Sequence, residues 1–237
     1  MTDMLWEVFA VKYADRNNRM RVESFILDPA HDQPHPMDYF VWVLKAGERV
    51  IMVDTGYDHT EAKRRGREIL RQPVKAIEAL GLGAEDVDDI IVTHLHYDHA
   101  GCLGDFPRAK IHIHPVEMAY ATGPCMCEDA LRMPFTGAHI CDAVTALYSG
   151  RVRFTAEDDV VADGVTVHRI GGHSKGLQAV RVKTAAGWMP CIGRNPFLRE
   201  FPEAQAVSYR RRCRGNAAWV RPHSGPCNTA RDGDPGT

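Results

Sequence analysis

The stretch Thr93-His94-Leu95-His96-Tyr97-Asp98-His99-Ala100-Gly101 places three histidines and one aspartate within six residues, in the pattern H-x-H-x-D-H. In an extended or tightly turned backbone, alternate side chains point the same way. His94 and His96 are therefore expected to reach one metal ion, while Asp98 and His99 face a second. Neutral imidazole suits zinc, and a carboxylate extends the range to iron, manganese or cobalt. Residues 89–93 (Asp-Ile-Ile-Val-Thr) read as a short buried strand, and Gly101 lets the backbone turn away. A strand end that opens into a ligand-rich loop is where a metal site is expected.

The remaining composition narrows the class. A chain of 237 residues with 44% hydrophobic content fits one domain with a sizeable core. A net charge of −2 supplies no general drive toward nucleic acid. No apolar run approaches the roughly 20 residues that span a bilayer, and no basic, then apolar, leader is visible at the N-terminus. Seven cysteines without a C-x-x-C pair suggest a reduced, cytoplasmic setting. The expected partner is thus a small molecule, with no nucleic acid and no membrane. Oligomeric state is not encoded in any motif.

Along the chain, residues 5–13 and 24–28 read as strands. Residues 39–44 and 49–53 read as a hairpin about the turn at 46–48. The hairpin leads into Asp54-Thr55-Gly56. Asp54 is either a turn residue bonding to its own backbone or a carboxylate that orients a metal-bound histidine. Residues 60–80 have helical composition with a break at Pro73. Residues 110–114 read as a strand in which His112 and His114 share a face as ordinary strand residues. His31 and His35 read as loop residues. Residues 115–120 and 138–148 read as helices, the first with proline at a tolerated start. Between them, residues 123–137 are less regular, and Cys125, Cys127, Met126, Met133 and Phe135 either line a pocket or pack down as a loop. Residues 152–154, 165–168 and 177–183 read as strands, with an acidic turn at 157–159. A second chemical signal is Gly171-Gly172-His173-Ser174-Lys175-Gly176-Leu177-Gln178, a histidine held on a backbone that can approach a ligand closely.

Taken together, these features resemble the metallo-beta-lactamase fold metallohydrolases, and within them the N-acyl homoserine lactonase-like group. The points of likeness are Tyr97 within the metal motif, Ala100-Gly101, Met118-Ala119-Tyr120-Ala121, and Gly171-Gly172-His173-Ser174 with Gly176 and Gln178. The resemblance covers about residues 6–188. It implies an α/β fold, an αββα sandwich of two face-to-face sheets with helices outside. It also implies that His173 completes a first metal site with His94 and His96, that Asp98 and His99 serve a second, and that Asp54 supports them. The implied activity is zinc-dependent opening of a lactone or other ester, as in quorum quenching. A thioester is a further substrate option, and other divalent metals are acceptable. Asp98 is the residue expected to relay a proton to the leaving oxygen.

The likeness stops after Met189, dividing the chain into a hydrolase domain at 1–189 and an atypical tail at 190–237. Relatives of this kind carry a Ser-Asp whose aspartate bridges both metals, then a His and a Tyr, then a final Pro-Gly-His. Here no aspartate occurs between Asp163 and Asp232, and His223 lacks the preceding strand. The tail holds eight Arg and no Lys, with no helical or strand period. An out-of-frame translation accounts for it. Read one base later, Ile192-Gly193-Arg194 permits Ser-Asp, Pro196-Phe197-Leu198-Arg199 permits His-Phe-Tyr, and Pro235-Gly236-Thr237 permits Pro-Gly-His. The expectation is then an incomplete C-terminal part of the sandwich, one bound metal rather than two, and impaired or lost activity.

Overall fold

The computed structural model describes residues 4–26, 29–192 and 205–206. The expectations for the rest of the tail, including His223 and the missing bridging aspartate, lie outside the described residues.

Two sheets form the framework. The larger has seven strands in the order β5-β1-β3-β4-β6-β7-β8. Its strands are β1 (Glu7–Arg16), β3 (Met37–Ala46), β4 (Arg49–Val53), β5 (Glu68–Ile69), β6 (Asp89–Ile91), β7 (Lys110–Ile113) and β8 (Val152–Phe154). The smaller has the order β12-β11-β10-β9, built from β9 (Asp158–Ala162), β10 (Val165–Arg169), β11 (Gln178–Thr184) and β12 (Gly187–Ile192). A two-residue strand β2 (Phe25–Ile26) pairs with β13 (Gln205–Ala206). The β3–β4 hairpin forms as expected, with Gly47 taking the left-handed turn position at φ 59°.

Strand periodicity sorts the large sheet's side chains into two cores. Val41, Val43, Val50, Met52, Ile90 and Ile111 point to the helical side. Leu44, Ile51, Val53 and Ile91 point to the other side, where they meet Val165, Val167, Val180 and Val182 of the second sheet. This alternation is what makes the fold a sandwich. Strands β4, β6, β7 and β8 are parallel, so the chain must cross over between them, and helices make several of those crossings.

The helices are α1 (His59–Arg65), α2 (Pro73–Ala76), α3 (Pro115–Ala121), α4 (Asp129–Arg132) and α5 (Gly137–Tyr148). Ala62, Ala76, Met118, Leu131 and Ile140, one from each, pack on the helical side of the large sheet. The mixed α/β sandwich is therefore present as helices, sheet and sheet. Helices outside the second sheet have no counterpart among the described residues.

Three local expectations are corrected. The helical segment over residues 60–80 restarts at Pro73 as expected, but it is also interrupted before that, running as α1, β5, α2 and a 3-10 turn at Ile77–Leu80. Gly66 ends α1 in the left-handed conformation, and Pro73 can only restart a helix at its first turn. The acidic stretch at 157–159 is not simply a turn, because Asp158 begins β9, a strand at the edge of its sheet. The less regular stretch at 123–137 contains a 3-10 turn and α4.

Candidate metal centre

The H-x-H-x-D-H loop leaves the end of β6 and is fastened on several sides. Gly101 N donates to Gly56 O at 2.7 Å, and a Cβ at Gly101 would lie 2.6 Å from that oxygen and 2.8 Å from Tyr57 Cα. Glycine is needed there for close approach of two backbones rather than for a turn alone. In β1, the register shifts between Lys12 and Ala14, a bulge that leaves Tyr13 unopposed on β3, its carbonyl accepting from Leu70 N instead. Tyr13 is fully buried and its hydroxyl donates to the Asp98 carbonyl at 3.3 Å. Tyr39 and Tyr57 pack against Tyr13, and Tyr97 against Tyr57. From α1, the Arg65 guanidinium lies 3.9 Å over the Tyr97 ring and donates to Met133 O. Glu61 holds Arg65 and Arg64.

His94, His96 and His173 come together. One ring nitrogen from each lies within 4.8 Å of the others. His96 Nδ1 and His173 Nε2 face each other at 3.0 Å. His94 Nε2 is buried and has no hydrogen-bond partner. A buried polar atom without a partner is costly unless something else satisfies it. Burial, followed by the neighbouring His99, His96 and His173, holds the His94 pKa well below its ordinary value. The ring is thus neutral, the form that binds a metal. These three histidines fit a divalent metal.

Asp98 and His99 lie beside this triad. The His99 ring is 4.0 Å from that of His94, and His99 Nε2 is 3.8 Å from Asp98 Oδ2. Burial opposes a charge on His99, but Asp54 and Asp98 outweigh it and push its pKa up to about 9. His99 Nδ1 lies 2.7 Å from Asp54 Oδ2. Donation from Nδ1 leaves Nε2 directed toward Asp98. The same Asp54 accepts from Thr93 N at 2.7 Å and from Thr93 Oγ1 at 2.8 Å to Oδ2. Thr93 Oγ1 in turn stands 3.0 Å from His94 Nδ1. With its own proton given to Asp54, the hydroxyl can accept from His94 Nδ1, which leaves Nε2 as the lone-pair nitrogen. The hydroxyl thus sets the tautomer of His94, and the carboxylate orients the His99 ring.

Other anticipated residues fall elsewhere. His112 Nε2 is 2.6 Å from Asp89 Oδ1, inside the sheet, and His114 Nδ1 accepts from Val116 N at the start of α3. Neither joins the triad. His35 packs edge-on against Phe25. Of the pocket candidates, Phe135 stands edge-on to His96 at 4.7 Å between ring centres, whereas Cys125 and Met126 pack on the main core and Cys127 and Met133 are exposed. Sequence reasoning missed Thr93, which carried no signal beyond its place before the motif, and Glu117, which is buried below the loops.

This geometry has known counterparts. The metallo-beta-lactamase superfamily matches residues 36–187. The chain belongs to that superfamily. Among relatives of this metallo-beta-lactamase superfamily chain, a probable metallo-hydrolase of Mycobacterium tuberculosis is 29% identical over 210 residues, covering 76% of this chain and 68% of the relative. N-acyl homoserine lactonase AiiB of Agrobacterium fabrum is 27% identical over 125 residues, covering 48% of this chain and 42% of that enzyme. Among solved structures, the hydrolase AbOPH aligns with a TM-score of 0.69 at 18% identity, covering 88% of this chain and 80% of that one. An N-acyl homoserine lactone hydrolase with N-hexanoyl-L-homoserine at its catalytic metal centre aligns with a TM-score of 0.61 at 20% identity, covering 79% and 74%. The structural likenesses show the shared fold.

Proposed function

We propose that this chain is a metal-dependent hydrolase whose first metal is held by His94, His96 and His173, and whose substrate is a lactone or another small ester, with N-acyl homoserine lactones the leading class. The observation that carries the reading is the convergence of the three imidazoles around the buried, unpartnered His94 Nε2. Sequence likeness to an N-acyl homoserine lactonase supports the substrate class. Zinc suits an all-nitrogen site of this kind.

When bound, a divalent metal lowers the pKa of a coordinated water toward neutrality and polarises a carbonyl oxygen. The chain's own residues supply orientation and proton handling. Thr93 and Asp54 fix the ring nitrogens of His94 and His99. In this reading Asp98 takes the proton from an attacking water and returns it to the leaving oxygen. Water adds to the ester carbonyl, the ring C–O bond breaks, and that proton ends on the new hydroxyl, giving a hydroxy acid. Phe135 forms an apolar wall beside His96, suited to a non-polar part of the substrate.

A second reading is carried by the tail sequence. Without the bridging aspartate and the last histidine, Asp98 and His99 alone make a weak second site, and activity is reduced or lost. Turnover of N-acyl homoserine lactones, measured by acid release, tests both. The first reading expects hydrolysis that disappears in His173→Ala. The second expects little hydrolysis in this chain and recovery in a frame-restored one. Failure of the restored chain on lactones, with turnover of a thioester or unrelated ester, would replace the substrate class.

A further inference from the structure

Glu117 has no exposed surface, yet it carries a carboxylate. It sits in the first turn of α3, directly beneath the two loops that bear the triad. Its Oε1 accepts from Leu95 N at 2.9 Å and lies 2.6 Å from Ser174 Oγ. Its Oε2 lies 2.6 Å from the same hydroxyl and accepts from Gly176 N at 2.8 Å. Leu95 is the residue between His94 and His96, and Ser174 follows His173. A single buried carboxylate therefore ties the segment that supplies two of the triad's histidines to the turn that supplies the third. The approach is close: a Cβ on Gly176 would fall 2.3 Å from Glu117 N and 2.4 Å from Glu117 Cβ, so only glycine lets the turn settle there.

Such a group is costly to bury unless its bonds are satisfied, and here backbone and hydroxyl donors from both loops satisfy it. Asp54 and the Thr93 side chain act on His94 and His99, and Thr93 O accepts from Gln178 N at 3.0 Å where the His173 turn enters β11, whereas Glu117 bonds to Ser174 and Gly176 beside His173 itself. We infer that Glu117 is a positioning residue for the metal centre, holding His173 at its distance from His94 and His96. The inference rests on the metal-binding reading of the triad.

The test uses the full-length chain and two variants, Glu117→Gln and Ser174→Ala. Zinc affinity is measured by competition with a chromophoric chelator, and the site's shape by visible absorption of the cobalt(II)-loaded chain. Far-UV circular dichroism and melting of the metal-free chains report folding separately. The amide of Glu117→Gln keeps one acceptor and loses the other, so zinc affinity should fall about 10- to 100-fold with a changed cobalt spectrum, as expected when support of a ligand is removed. Ser174→Ala removes only the hydroxyl, and the fall should be about tenfold. Wild-type affinity and spectrum in both variants, with only the melting temperature lowered, would show a purely structural role and overturn the inference. If Glu117→Gln does not fold, Ser174→Ala decides alone. A wild-type chain that takes up neither ion instead defeats the metal reading, and the inference with it.

Discussion

Asp54 Oδ2 stands 2.7 Å from His99 Nδ1, on a residue whose backbone is left-handed at φ 61°. Among the described residues it is the one non-glycine with positive φ. Such a backbone costs about 1–3 kcal/mol and persists where surrounding bonds impose it. Here they come from Thr93 N and Thr93 Oγ1 as well as His99. This backbone holds one carboxylate against His99 directly and against His94 through the Thr93 hydroxyl.

Asp54→Asn tests that arrangement. Asparagine tolerates the same backbone but brings an amide in place of the anion. The variant is expected to fold with little loss of melting temperature and to bind zinc about 10- to 100-fold more weakly. Isothermal titration with zinc measures it, and unchanged affinity would remove Asp54 from the site.

Glu61, joined to the metal motif through Arg65 and Tyr97, predicts an acid response of the fold. Burial raises its pKa, but Arg64, Arg65 and Thr136 outweigh it and hold the carboxyl at about 2. A depressed carboxyl contributes stability above its unfolded value, near 4.5, and loses it as pH falls toward 2. The contribution is at most about 3 kcal/mol at neutral pH, at 1.36 kcal/mol per pH unit. Glu61→Gln should lower the melting temperature at pH 7 and flatten its dependence between about pH 4.5 and 2. A parallel pH profile in the variant would contradict this.

Gly101→Ala tests the close approach of two loops. A methyl group would lie 2.6 Å from Gly56 O and 2.8 Å from Tyr57 Cα, both backbone atoms. Overpacking of this kind typically costs about 1–3 kcal/mol, to be measured by urea unfolding. Wild-type stability would show that the loop can yield.

Much of this arrangement was legible in the sequence where chemistry and period coincide. The metal motif, the β3–β4 hairpin and the glycine-flanked His173 all announce themselves locally. Asp54 was legible as a choice between two roles, and only the approach of β4 to β6 shows it touching His99. Glu117 was read as a helix residue, because nothing near it in sequence marks the loops it holds. Its partners, Leu95 and Gly176, lie 22 and 59 positions away. The segment 60–80 misled for the opposite reason: its helical composition and the restart at Pro73 were legible, but the stop at Gly66 and the short strand β5 that follows were not.

The tail carries a prediction that needs only the gene. Read one base later from near the Met189 codon, the nucleotide sequence should encode Ser-Asp, His-Phe-Tyr and a final Pro-Gly-His. A chain translated in that frame should then hold a second metal. The absence of Ser-Asp in any frame there would end the reading.

The most direct test of the central claim is the metal content of the purified chain beside His94→Ala, His96→Ala and His173→Ala, determined by elemental analysis after dialysis. About one divalent ion per chain is expected, with loss of that ion in each variant. No retained ion in the parent chain, or an ion retained in all three variants, would contradict it.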